Sequence, residues 1–447
     1  MNPANFSLCQ EEIKKSNAHS LHKQLHLPGA NKQIYSGSMV EQLPSAWYGM
    51  NWGELTASSY DPTYTTRDDR LPQRVAYKLP QQDISSVEMV SLIVNLPPMQ
   101  VAEKYKETIR IAWPDDIGIG VIEEALPDAG GAKGNRLNRH SMKMLLTARD
   151  QYTEDVAFDI GKRPELNNWS TELPGASVGF IQPFFFNDLE CGLVAYTDRP
   201  ISFEYAFLLN VLKLLKFTAM EDGEWKRVRP DRKYLQDMVE KLPQPVLIGR
   251  FLYNSKFAMA MMRDETRIDL KFTDIVQISA PNATNCRQAM EVTFEREKNY
   301  PVKCVFAVVE NVTKRQFGDW CAYSPDILEV CIRYAGETRM IDRTESMHSR
   351  IINQAHFGRV LPRWLRALPY TRNPFANMET DVYLKALDAS VDITMHQREE
   401  DNDLYRYHVF LVVQRIMTYE NASSNNKRKA DEEGPKRNIT LKVTMTP

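Results

Sequence analysis

From about residue 66 onward, apolar side chains recur along the chain with a period of two. Val90, Leu92, Val94 and Leu96 alternate with Ser91 and Asn95, and Pro97-Pro98 stops the run. This is the pattern of a strand with one face in a core, ended by residues that cannot donate to a ladder. Leu328, Val330, Ile332 and Tyr334 alternate with Glu329, Cys331 and Arg333, and Val391, Ile393 and Met395 with Asp392 and Thr394. Tyr405, Tyr407, Val409, Leu411 and Val413 keep the rule, and Leu441, Val443 and Met445 close the chain with it. Short strands separated by turn-rich segments, which hold many of the 25 prolines and 19 glycines, predict an all-β sandwich protein and not a βαβ architecture. Helices are accessory, expected over 141–149, 205–215 and 234–241.

Breaks in this pattern divide the chain. Residues 1–65 are polar and rich in Ser, Asn, Gln, Tyr and Pro, with a weak helical pattern over 11–27, and read as an N-terminal arm. Residues 217–236 are charged, carry little apolar periodicity and read as a linker. That leaves a first sandwich over 66–216 and a second over 237–447, the latter with a polar loop at 421–438 and a last strand. The length of 447 residues suits two such units, each large enough for its own core.

Composition narrows the function classes. Lys and Arg total 56 against 58 Asp and Glu, so the net charge of −2 gives no global attraction to nucleic acid or anionic lipid. Hydrophobic residues make up 43% and charged residues 26%, as in a soluble globular protein. No apolar run approaches the roughly 20 residues of a membrane-spanning helix, and the N-terminus lacks the plan of a signal peptide. The six cysteines, Cys9, Cys191, Cys286, Cys304, Cys321 and Cys331, contain no C-x-x-C pair, and several sit in apolar runs. This points to synthesis in a reducing cytosol.

Five segments, in order, carry a resemblance. Asp83 to Val87, followed by the strand ending at Leu96-Pro97, is one. Trp113 to Ala125, with Gly130-Gly131 after it, is the second. Phe180-Ile181-Gln182-Pro183-Phe184-Phe185-Phe186-Asn187, leading through Gly192 to Ala195 and on to Ile201 to Tyr205, is the third. Tyr300 to Asn311 is the fourth, and Tyr405 to Thr418 the fifth. Together they resemble the major capsid proteins of nucleocytoplasmic large DNA viruses. Each is mostly a buried strand punctuated by proline, so the weight lies in their ordered co-occurrence over residues 83 to about 420. The family's aromatic-rich first strand is not recognisable in 30–60, its block before the penultimate strand is replaced by Asn373 to Thr380, and a strand-like tail over 439–445 is added. The chain thus resembles a divergent member.

The resemblance implies two tandem jelly-roll β-sandwiches, a double jelly roll, with accessory helices and an N-terminal arm. It implies a non-enzymatic capsid subunit without cofactor, whose homotrimers form pseudo-hexagonal capsomers that tile an icosahedral shell. The implied partners are further copies of the chain, neighbouring capsomers, minor capsid or penton proteins, and an inner membrane or its proteins, with no small-molecule substrate. The implied place is the virion capsid, after synthesis in host cytoplasm. A scaffold or minor capsid protein of the same fold, and a carbohydrate-binding β-sandwich, are the alternatives. Obligate interfaces have apolar centres, which makes Phe184, Phe185, Trp320 and Trp364 candidates for a trimer seam; ordinary core aromatics are the competing reading.

Candidate chemistry is sparse, and no catalytic, cofactor or metal residue is assigned. His19, His22 and His26 have spacings that share a helix face, but no Cys or carboxylate pattern accompanies them and an exposed polar arm is the plainer reading. His140, His348, His356, His396 and His408 supply no His-x-His pair of the kind a cupin metal site needs. Asp115-Asp116 and Glu123-Glu124 suggest a cation or acid/base site, against which stands a loop or solvent-face origin. Gly130-Gly131-Ala132-Lys133-Gly134 lacks the phosphate-loop spacing and reads as a flexible turn. Lys427-Arg428-Lys429 with Lys436-Arg437 suits nuclear import, a nucleic-acid contact or a solvated loop. The Asn-x-Ser/Thr triplets at Asn5, Asn168, Asn282, Asn311, Asn421 and Asn438 read as coincidence without a secretory signal.

Overall fold

The computed structural model describes residues 50–59, 73–79, 84, 86–189, 192–195, 197–236, 239–252, 267–279, 282–285, 290–293, 301–334, 337–343, 347–376, 389–395, 403–421 and 441–446. Its first part holds β1 (Met50–Glu54), β2 (Thr56–Ser59), β3 (Gln73–Lys78), β4 (Ser86–Leu96), β5 (Met99–Val101), β6 (Ile109–Ala112), β7 (Ile122–Asp128), β8 (Glu172–Leu173), β9 (Ala176–Ile181), β10 (Leu193–Val194), β11 (Ser202–Phe207), β12 (Lys216–Glu221), β13 (Glu224–Val228), β14 (Leu235–Gln236) and β15 (Val246–Leu252). The second part holds β16 (Arg267–Ser279), β17 (Met290–Thr293), β18 (Val302–Asn311), β19 (Ile327–Tyr334), β20 (Glu337–Arg343), β21 (Leu365–Pro369), β22 (Ala389–Met395), β23 (Tyr405–Asn421) and β24 (Leu441–Thr446).

In the first part, the order β1-β15-β4-β10, with β9 also on β4, makes one main sheet, and β2-β3-β11-β7 makes the other. Two small sheets, β13-β12-β6 and β14-β5-β8, flank them. In the second part, β16-β23-β18-β21, with β24 on β23, forms one sheet and β17-β22-β19-β20 the other. The ladders between these strands are antiparallel, as sandwiches built of hairpins and long returns require. Alternation sets the cores. Val90, Leu92, Val94 and Leu96 of β4 are buried, as are Val75 and Tyr77 of β3 and Phe203, Tyr205 and Phe207 of β11. In the second sandwich, Val305, Ala307 and Val309 of β18 meet Tyr407, Val409, Leu411 and Val413 of β23, Val330 and Ile332 of β19, and Val391 and Ile393 of β22 in a separate core. The added tail is the strand β24, paired with 416–421 of β23.

Among the expected helices, 141–149 is present as Arg139–Ala148. It starts two residues early because Asn138 caps it, its side chain accepting from the amides of His140 and Ser141 while Ser141 Oγ accepts from the Asn138 amide. The other two expectations need correction. Residues 205–215 hold the end of β11 and a single turn, Val211–Leu214, because Phe203, Tyr205 and Phe207 alternate into the core between β3 and β7. Residues 234–241 begin as a 3-10 turn (Arg232–Tyr234) and the short strand β14, placed between Pro230 and Pro243.

The linker expected over 217–236 is instead a β-hairpin. Phe217 pairs with Val228 and Ile111, and the turn Asp222-Gly223 has φ of 53° and 83°, the left-handed pair of the tightest hairpins. β13 faces solvent on both sides, which erased the alternation that a half-buried strand displays. Strand β15 lies beyond the expected boundary yet pairs with β4 and β1 of the first sandwich. The arm expected over 1–65 enters that sandwich at β1 and β2; the rest of it lies outside the described residues. So do His19, His22, His26, His396 and all but the first residue of the loop 421–438.

Candidate functional site, the seam between the two sandwiches

A strand of a free-standing sandwich turns one face to its core and the other to water. β18 is buried at all ten positions. Val305, Ala307 and Val309 fill the second core, with Val302 beyond the bulge, while Cys304, Phe306 and Val308 belong to the core centred on the first sandwich. β23 does the same: Phe410 and Val412 join the first core while Val409, Leu411 and Val413 join the second. An apolar residue on both faces of an antiparallel strand signals cover on both faces. Here the cover is the other half of the chain.

Contacts across the seam come from both sides. Phe185 tilts against Phe272 of β16 with ring centroids 4.4 Å apart. The Val194 amide donates to the Tyr419 hydroxyl at 3.4 Å, and the Asn135 amide donates to Asp274 Oδ2 at 3.2 Å. Asp274 also accepts from Arg415 Nη1 at 2.9 Å. Burial raises the Asp274 pKa, and the Arg415 charge opposes it without reversing it. Trp320 Nε1 donates to the Lys213 carbonyl at 2.8 Å, and the Arg139 guanidinium sits 4.3 Å over the Trp320 ring while bonding Glu123 at 2.6 Å. Asp319 receives Arg227 at 3.2 Å, with Lys216 at 3.8 Å.

Three of the four sequence-based seam candidates therefore fall inside one chain. Phe184 is fully buried in the first core, and Phe185 and Trp320 are buried on the intramolecular seam. Trp364 is half-buried and stacked on Tyr323 at 4.8 Å. The acidic doublets resolve into ion pairs. Asp116 holds Lys143 at 3.0 Å and the Tyr152 hydroxyl at 2.5 Å, and Glu124 holds Arg136 at 2.7 Å. The glycine-rich stretch forms a turn held at two points. Gly131 N donates to Asp128 Oδ1 at 2.6 Å, and a Cβ on Gly130, at φ +77°, would lie 2.4 Å from Thr197 Oγ1. Asn311 is a buried helix cap, accepting from the Lys314 amide and donating to Asp403 at 2.7 Å.

Sequence reasoning missed one cluster. Glu310 of β18, His408 of β23 and His140 of helix Arg139–Ala148 meet at the seam, each no more than 5% exposed at the side chain. Glu310 Oε2 lies 3.3 Å from His408 Nε2 and 3.7 Å from His140 Nε2; Arg315 stands 3.4 Å from its other oxygen. The two imidazoles stack, 22° from parallel with centroids 4.3 Å apart. His140 Nδ1 lies 3.1 Å from the Tyr323 hydroxyl, and burial, with the charges around Cys321 and Glu310, keeps that phenol protonated. Tyr323 can then donate to Nδ1, which places the His140 proton on Nε2, toward Glu310. Burial acts to raise the Glu310 pKa, but the His408 hydrogen bond, the positive charge that either histidine brings when protonated, and Arg315 outweigh it and hold the carboxylate well below its usual range. Burial comes first in pushing both histidines below theirs.

Among the described residues, these three side chains form the group whose donor atoms could gather a metal, all within 4.8 Å of one another. Arg139 and Arg315 add positive charge beside them, which opposes a cation. The arrangement suits protons better than a cation. A signal was available in sequence: His408 and Glu310 sit on strand faces otherwise filled by Phe410, Val412, Phe306 and Val308.

No protein-family model matches the sequence, and no curated protein matches it either. Solved structures do. The Faustovirus major capsid protein is 7% identical, covers 92% of this chain and 98% of its own, and superposes with a TM-score of 0.64. The PBCV-1 virus capsid is 11% identical over 83% of this chain and 94% of that one, with a TM-score of 0.57. The Sputnik virophage structure is 9% identical over 83% and 86%, with a TM-score of 0.51. The chain therefore has the fold of these viral capsid proteins, two jelly rolls in tandem, at 7–11% sequence identity to them.

Proposed function

We propose that the chain is a non-enzymatic capsid subunit, three copies of which close into a ring of six jelly rolls that tiles the icosahedral shell of a large DNA virus. The observation that carries this reading is the seam. Two similar sandwiches are joined through buried strand faces, so one polypeptide presents two like blocks in fixed register, and threefold closure turns them into a near-hexagonal outline. The fold likeness supports it. The buried ionisable groups lie in a seam closed to substrate, which favours a structural role over catalysis. We assign residues 50–252 to the first jelly roll and 267–446 to the second.

On this reading the partners are further copies, neighbouring capsomers, minor capsid or penton proteins, and an inner membrane or its proteins. The place is the virion shell, reached after cytoplasmic synthesis, with the basic loop at 427–437 available for nuclear import. Exposed Trp169 and Trp225 remain for contact between chains, where Trp and Arg dominate binding. They also raise the carbohydrate-binding alternative. Against it, Arg227 lies 4.5 Å from the Trp169 ring and Arg110 lies 5.0 Å from the Trp225 ring, covering faces a sugar would stack on.

Cryo-electron microscopy of particles carrying this chain tests the proposal. The expected density is a shell tiled by trimers of this fold. A mature shell without the chain, or with a few copies, would assign it instead to scaffolding or a minor position.

A further inference from the structure

One carboxylate at the seam holds two histidines that belong to different jelly rolls. His140 arrives on a helix of the first, while Glu310 and His408 arrive on adjacent strands of the second. The surroundings are apolar, with Phe306, Val308, Phe410 and Val412 on the same faces. The charged and titratable groups around them come from every packed element. Arg139 precedes His140 on its helix and is bound to Glu123. Arg315 from helix Val312–Arg315 faces Glu310, and Arg406 lies two residues from His408 on β23. Tyr323 and Cys321 come from the loop before β19, and Asp116 stands beyond them, already holding Lys143. Among the described residues Glu310 is the carboxylate that faces both imidazoles; Arg315 lies beside it, and Arg139 and Arg406 act on the histidines.

We propose that His140, Glu310 and His408 form a proton-released latch between the two jelly rolls, closed while both imidazoles are neutral and opened when weak acid charges them. Closed, Tyr323 bonds His140 and His408 bonds Glu310, while His140 Nε2 stands 3.7 Å from the same carboxylate oxygen. One added proton is drawn by Glu310 but opposed more strongly by burial. A second would stack two imidazolium rings 4.3 Å apart beside Arg139 and Arg315, with Glu310 the carboxylate paired with either ring among the described residues.

The direction follows from linkage. Burial depresses both imidazoles in the closed seam, whereas after opening they return to about 6.5. The stability of the closed seam is complete above pH 6.5 and is lost as pH falls below it toward the depressed values. If each histidine gains one proton on opening, the opening constant rises roughly tenfold per histidine between pH 7.5 and pH 5.5, about a hundredfold for the pair. The inference concerns the chain itself and stands whether or not the chain builds a shell.

Hydrogen exchange read by mass spectrometry on the full-length chain at these two pH values, corrected for the intrinsic pH dependence of exchange, measures that constant. Peptides covering β18, β23 and helix Arg139–Ala148 report the seam, and the β12–β13 hairpin is the internal reference. The expected result is an increase of about a hundredfold in the native chain, about tenfold in His140→Gln and in His408→Gln, and none in the double variant, with the hairpin unmoved. A level response in the native chain, or single variants as steep as it, overturns the latch. Should the variants not fold, NMR of Cε1-labelled histidines in the native chain decides: both rings stay neutral below pH 6 while the seam is closed, and ordinary titration in a closed seam refutes the proposal.

Discussion

Replacing Phe185 by Ala tests whether the two jelly rolls are one cooperative block. Its ring is 4% exposed and lies against the fully buried Phe272 of the other jelly roll. Truncating a buried phenylalanine costs about 3–5 kcal/mol. If about 400 residues unfold together, their unfolding entropy makes each kcal/mol worth roughly 1 °C, so Phe185→Ala lowers the single melting temperature by roughly 4–6 °C. Phe272→Ala should cost a similar amount. Because the rings touch, the double variant loses less than the sum, by about 0.5–1.5 kcal/mol. Denaturant unfolding of the four proteins gives the coupling, and hydrogen exchange shows where it acts: Phe185→Ala should loosen β16 and β23 of the other jelly roll. Strict additivity, or loosening confined to the first jelly roll, would refute the idea that the seam unites the two.

Three further predictions concern groups with unusual surroundings. Lys303 is fully buried, its ammonium donating to Thr273 Oγ1 at 3.1 Å and to the Ala376 carbonyl, and burial pulls its pKa down to about 8. Stability should therefore rise by roughly 3 kcal/mol from pH 8 to pH 10.5, where the unfolded chain binds the extra proton, and Lys303→Met should abolish the rise in a pH series of melting curves. Arg415→Met strips the buried Asp274 of its cation and should cost about 3–5 kcal/mol at pH 7.5. Because the Asp274 pKa is raised, that loss shrinks in acid as the carboxyl takes a proton, and adding Asp274→Asn should restore most of it at pH 7.5. Gly130→Ala should cost about 1–3 kcal/mol through its left-handed backbone and the Thr197 contact. Thr197→Gly in the same chain should recover the steric part, read as a shift in denaturation midpoint.

Strands that bury one face were legible in the sequence. β4, β19, β22 and β24 all announce themselves by alternation, because one face meets a core and the other does not. The β12–β13 hairpin was hidden because β13 buries neither face and its charges imitate a linker. β15 was assigned to the wrong jelly roll because alternation identifies a strand without naming its partner, and β15 returns to β4 from about 150 residues away. The seam was half legible. Apolar residues on both faces of β18 and β23 foretold cover on both sides, but nothing local identifies what provides it. The histidine cluster draws on positions 140, 310 and 408, which meet only once the two sandwiches close on each other.

The molar mass of the purified full-length chain in solution, measured by light scattering behind size exclusion, tests the central claim most directly. A subunit made to close in threes should elute as one species at three times the 51.6 kDa chain mass and keep that mass on dilution. A stable monomer that binds sugars on a glycan array would contradict it.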